Sequence, residues 1–141
     1  MPNFLPRLAR HAVVLFVAAG TPSCTPSQPP RAPPQAITRT LLAAHAVEAT
    51  PGWETRLYLI EYAPGAVAPV HRHPYAGVGY VLSGRFESAF GDGAVVVVGP
   101  GKSFVDQPRV QHTIFRNPDP RQPLRFVIAY TIPLGEPTLV Q

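Results

Sequence analysis

The 141-residue chain is 45% hydrophobic and only 14% charged, which supplies one sizeable core and excludes wholesale disorder. Twelve Lys/Arg against eight Asp/Glu give a formal net charge of +4, and the pI is near 9.7. The arginines are scattered singly, however, with no basic cluster interleaved with aromatic residues, so no nucleic-acid partner is expected. Cys24 is the one cysteine, which excludes both an intrachain disulfide framework and a thiolate metal cage.

The chain opens with a positive stretch, Arg7, Arg10 and His11, followed by the apolar run Ala12 to Ala19. That run is too short to span a bilayer, which takes about 20 apolar residues. With Thr21-Pro22-Ser23-Cys24 behind it, the segment resembles a bacterial lipoprotein signal, which implies lipidation of Cys24 and a membrane anchor facing the periplasm. Simple cleavage and a soluble exported protein is the alternative. Residues 1–23 are thus expected to be a signal peptide. Residues 24–36, dense in proline, read as a semi-rigid tether.

From there the chain reads as short strands joined by turns. Thr38 to Val47 is a first strand of mixed pattern, and Thr50-Pro51-Gly52 turns it. Glu54 to Tyr62, rich in aromatic and branched residues, is a firmer second strand. Pro64-Gly65 turns the chain toward a strand carrying His71 and His73. Gly77 to Leu82 and Arg85 to Phe90 follow, and Gly91-Asp92-Gly93 signals a tight hairpin returning through Val95 to Val98, which reads as a buried strand. Ser103 to Val105, Val110 to Arg116 and Leu124 to Ile132 complete the set. With no convincing helix between them, these strands predict an all-β, single-domain antiparallel sandwich or barrel over residues 37–134, with 135–141 as a C-terminal tail.

His71 and His73 are two apart, so on a strand both side chains leave one face, near enough to lean onto one divalent ion. Gly65, five residues, His71-Arg72-His73 and then Gly84 resemble the first motif of the cupins. Gly101 to His112 with Asn117 is similar to their second motif. The resemblance implies a small jelly-roll β-barrel, often dimeric, with His71, His73 and His112 as ligands of one metal inside it. Cupin activities include dioxygenases, isomerases, lyases, decarboxylases and non-catalytic binders, so the fold leaves the reaction open.

One departure bears on chemistry. Gly77 stands where the motif usually carries a glutamate ligand. Three neutral imidazoles without a carboxylate favour iron, zinc, nickel or copper over manganese. They also leave the ion's charge uncompensated, so an anionic small-molecule substrate is expected, and Gly77 should open volume beside the metal. Glu61, Tyr75 and Asp106 are alternative ligands, none of them preferred to water; Pro108 between Asp106 and His112 argues against a common face. Tyr75 and Tyr80 lie near enough to be considered for proton transfer, although an ordinary tyrosine pKa near 10 makes neither a good base. Arg72 should face away from the histidines, and Arg109 should be solvated or at the mouth of the barrel. A dioxygenase-type oxidoreductase ranks slightly ahead of a metal Lewis-acid isomerase or lyase. A binding or sensing barrel is the non-catalytic alternative.

Overall fold

The computed structural model describes residues 36–141; the signal, Cys24 and the tether up to residue 35 lie outside the described residues. Nine strands and no helix make up the described part: β1 (Ile37–Ala46), β2 (Trp53–Tyr62), β3 (His71–Arg72), β4 (Gly77–Ser83), β5 (Phe86–Phe90), β6 (Val96–Val98), β7 (Ser103–Asp106), β8 (Gln111–Arg116) and β9 (Leu124–Pro133). They form a five-stranded sheet, β1-β2-β9-β4-β7, and a four-stranded sheet, β3-β8-β5-β6. Every strand pair is antiparallel. The all-β jelly-roll expectation therefore holds, but the two sheets do not close into one continuous barrel.

Strict alternation drives the packing. In β4, Gly77, Gly79 and Val81 point inward while Val78, Tyr80 and Leu82 point out. In β9, Leu124, Phe126, Ile128, Tyr130 and Ile132 are all buried. Facing them across the sandwich are Phe86 of β5 and Phe115 of β8, whose rings stack at 4.6 Å. Phe126 touches both, at 6.2 and 5.6 Å between ring centroids. Each such buried ring contributes about 1.5–3 kcal/mol of apolar burial, so this aromatic cluster holds the sheets together.

Two local features aim the site. In β8, His112 and Phe115 are both buried although they are three apart. A bulge allows this: Ala89 pairs with Ile114 but the next residue, Phe90, pairs with His112, which leaves Thr113 extra. The Thr113 hydroxyl donates to the carbonyls of Ala89 and Gly91 and secures the bulge. The C-terminal residues, read as a tail, add backbone pairing to the site: Arg72 and Val140 exchange two hydrogen bonds, 2.8 and 2.9 Å.

One strand differs from its reading. Val95, Val96 and Val97 are 49–62% exposed. The valine run is an edge strand of the smaller sheet with one paired side only, so β-propensity and hydrophobicity did not bring burial with them.

Candidate metal centre

His71, His73 and His112 come together as the sequence predicted. All three are buried, at 2–5% exposure, and one ring nitrogen from each lies within 4.8 Å of the others. His71 and His112 are direct partners across β3 and β8, which sets the third ligand opposite the first.

Backbone partners determine what these rings offer. Nδ1 of His71 is 2.8 Å from the Pro69 carbonyl, and Nδ1 of His73 is 2.8 Å from the Thr138 carbonyl. A carbonyl only accepts, so each Nδ1 carries the proton and each Nε2 of the neutral ring presents a lone pair. Those two Nε2 atoms face each other at 3.0 Å. Two lone pairs at that distance repel, whereas a cation held between them makes the contact favourable. Donation of the far N–H to a carbonyl is also how metal-bound histidines are commonly oriented. On His112, Nε2 meets the Ser88 hydroxyl at 2.8 Å. Its Nδ1 is a buried polar atom with no partner, a deficit of about 1–3 kcal/mol if nothing fills it. Phe90 stacks on this ring at 4.0 Å and fixes its plane. The donor set fits a divalent metal.

The histidines open onto a cavity of about 210 Å³ between the sheets, with Ile60, Phe104, Phe126, Ile128 and Leu139 in its apolar wall. Two oppositely charged side chains also line it, Arg39 and Asp106. Arg39 lies over the Tyr58 ring at 4.2 Å and donates from Nη2 to the Thr138 hydroxyl at 2.6 Å. The phenol of Tyr130 donates to Asp106 Oδ2 at 2.5 Å, and its oxygen lies 3.2 Å from the Nδ1–H of His73.

Two sequence readings change here, those of Asp106 and Gly77. Asp106 does reach the site, because β7 and β8 belong to different sheets and both border the cavity; a same-strand phase argument does not apply. The chain reverses at Arg109, whose φ is +65°, and the Arg109 N–H bonds the His73 carbonyl at 2.7 Å, tying the turn to the histidine strand. Gly77 does not open volume. Its neighbours across β4 are Asp106 on one side and Tyr130 on the other. A Cβ there would lie 2.7 Å from Tyr130 Cζ and 2.9 Å from Ile128 Cδ1, so the Tyr130 ring already occupies the space. The cation of the pocket wall is Arg39, whereas Arg109 is exposed outside it. Glu61 pairs with Arg125 on the outer face, Tyr75 packs edge-on against Trp53, and Tyr80 is 48% exposed, so none of these serves the metal site. Arg72 is exposed, as expected. Ser88, Arg39 and Tyr130 are the site residues that sequence reasoning missed. Only its place in the strand register, opposite Gly77, distinguishes Tyr130 from an ordinary core tyrosine.

The fold and site together define a two-sheet jelly roll whose buried three-histidine cluster could hold a metal ion. The chain belongs to the cupin family: the cupin domain matches residues 58–130. Similar solved structures include the polyketide cyclase RemF from Streptomyces resistomycificus, at 23% identity and TM-score 0.57, over 76% of this chain and 71% of that one. The cupin domain of an XRE family transcriptional regulator from Enterobacter cloacae is 24% identical with TM-score 0.53, over 70% of this chain and 99% of that one. The DMSP lyase DddQ from Ruegeria pomeroyi DSS-3 is 21% identical with TM-score 0.53; the match covers 61% of this chain and only 42% of the lyase. No curated protein matches the chain.

Electrostatics add a pH dependence. Burial, opposed by the Pro69 carbonyl, holds the His71 pKa below its usual 6.5. Burial and then the neighbouring His71 and His73 push His112 down to about 3. Below pH 6.5 the unfolded chain binds protons that these folded rings refuse, so their contribution is complete above that pH and declines toward pH 3. The urea midpoint of metal-free protein should therefore fall progressively from pH 6.5 to 4, with a shallower slope in His112→Asn. A midpoint flat over that range in the parent protein would contradict it.

The Gly77 packing is testable by a double-mutant cycle. Gly77→Ala should destabilise by about 1–3 kcal/mol through overpacking. In a Tyr130→Ala background, where the ring is gone, the same change should cost under about 0.5 kcal/mol, read by urea unfolding.

Proposed function

We propose that this cupin domain is a metal-dependent enzyme for a small anionic organic substrate, with His71, His73 and His112 holding one divalent ion. The observation that carries this reading is the convergence of one ring nitrogen from each of three buried histidines on a small apolar cavity whose wall supplies one cation, Arg39. At about 210 Å³ the cavity is below the roughly 300–1,000 Å³ of drug-sized sites. When bound, the ion would supply Lewis-acid polarisation of a substrate oxygen, or dioxygen chemistry if it is redox-active.

The chain's own residues bind, orient and shield. The Arg39 guanidinium, steadied by Tyr58 and Thr138, presents a fork suited to a carboxylate. Phe104, Phe126 and Ile128 keep water from the reacting end. Tyr130 keeps its proton at neutral pH, because burial and then the Asp106 charge raise its pKa. Its hydrogen stays on the bond to Asp106 Oδ2, so the phenol orients that carboxylate and does not act as a base. Lewis-acid polarisation of an anion oriented by Arg39 suits a lyase or cyclase, the activities named for the DMSP lyase and the polyketide cyclase. The dioxygenase reading rests on the three neutral imidazoles, which suit iron.

Metal content measured by mass spectrometry should show one ion per chain, lost in His71→Ala and His112→Ala. In a thermal-shift panel of small mono- and dicarboxylates, hits should depend on both the metal and Arg39, with about tenfold or more weaker binding in Arg39→Gln. Oxygen uptake with a hit compound would select the dioxygenase, and turnover without oxygen the Lewis-acid route. Metal-free protein that binds the same carboxylates unchanged would leave a binding barrel instead.

We further infer that the domain is exported and tethered through a lipid on Cys24, from the apolar run that precedes this single cysteine. Cys24→Ala should move the protein from the membrane fraction to the soluble one in a bacterial host; unchanged membrane association would refute the anchor.

A further inference from the structure

Asp106 is buried, 5% exposed, and borders the metal cavity. Its Oδ2 lies 3.3 Å from Nε2 of His73, the nitrogen left bare by the Thr138 carbonyl. His73 Nε2 thus has two lone-pair neighbours, Asp106 Oδ2 and His71 Nε2 at 3.0 Å, and neither facing histidine nitrogen carries a proton. Donor atoms bound at about 2.0–2.2 Å to one ion, at angles from square to tetrahedral, sit about 2.8–3.6 Å apart. Both separations fall within that span. The carboxylate is also held in place: the Tyr130 phenol donates to the same oxygen at 2.5 Å, leaving its other lone pairs open.

From this geometry we propose that Asp106 is a fourth protein ligand of the metal, with Tyr130 as the residue that positions it. The inference rests on the three-histidine reading above. It assigns a neutralising oxygen to a site otherwise made of uncharged nitrogen ligands, and places it on β7. The strand register explains how β7 can supply it: Asp106, Gly77 and Tyr130 are opposite one another on β7, β4 and β9, and the missing side chain at position 77 lets the phenol reach over to the carboxylate. A charged ligand lowers the net charge of the centre, and leaves Arg39 as the group that recognises the substrate's anion.

The competing account of the 3.3 Å contact is an ion pair between a His73 imidazolium and Asp106, with no role in ligation. The full chain would be titrated with Zn²⁺ in competition with a chromophoric chelator, and with Co²⁺ for its visible ligand-field spectrum. Asp106→Asn, nearly isosteric, should weaken Zn²⁺ binding by more than about 100-fold, beyond the about 10–100-fold typical of outer-shell partners, and shift the Co²⁺ bands. Tyr130→Phe, which keeps the carboxylate, should lose about tenfold or less and leave the band positions in place. Should Asp106→Asn fail to fold, Asp106→Glu keeps the charge but moves the oxygen, so a shifted Co²⁺ spectrum supports ligation and an unshifted one opposes it. Binding within about threefold of the parent and an unchanged spectrum in Asp106→Asn, with metal lost in His71→Ala, would overturn the Asp106 assignment and leave the three-histidine site standing. A parent protein that binds neither ion would overturn both.

Discussion

The carbonyl oxygens of Pro69 and Thr138 control the chemistry of this site. Each takes the Nδ1 proton of one histidine and so turns a bare Nε2 toward the other. The resulting 3.0 Å approach is unfavourable unless something positive lies between the rings. Because Thr138 comes from the last residues of the chain, that control depends on the C-terminal segment being held against β3. The paired hydrogen bonds between Arg72 and Val140 hold it there. Thr138 also takes the Arg39 guanidinium on its hydroxyl, so one residue joins the histidine side of the cavity to its Arg39 side.

The second constraint is steric. Gly77 has no side chain, and the Tyr130 ring packs into the space a Cβ would need. A residue with a long acidic side chain at position 77 and a tyrosine at position 130 are therefore mutually exclusive packings of the same row. In this chain the row is completed by Asp106, so an acidic group remains beside the histidines although it comes from the other neighbouring strand. Position 77 taken alone suggests a site without a carboxylate; the row of three strands shows one with it.

Much of the architecture was legible in the chain. Alternating runs such as Glu54 to Tyr62 and Leu124 to Ile132, with turns at Pro51-Gly52 and Gly91-Asp92-Gly93, place nearly every strand within a residue or two. The histidines were legible because two of them share a strand face and the third falls in a second recognisable motif. The valine run 95–98 was not, because hydrophobicity reports a strand's preference and not whether a second sheet covers it. Asp106 was obscured for a different reason. Periodicity relates residues along one strand, and here the chain passes from the larger sheet to the smaller one between Asp106 and Gln111.

By itself the sequence determined the fold class, the single core and the three histidines, since each depends on local period and residue type. Tertiary structure alone decided the tautomers of His71 and His73, the phase shift at Thr113 that turns both His112 and Phe115 inward, and the meeting of Arg39, Asp106 and Tyr130 at one cavity. These depend on cross-strand register and on contacts between residues up to 99 positions apart, as Arg39 and Thr138 are. No local pattern encodes such a contact, because its partners become neighbours only when the two sheets pack.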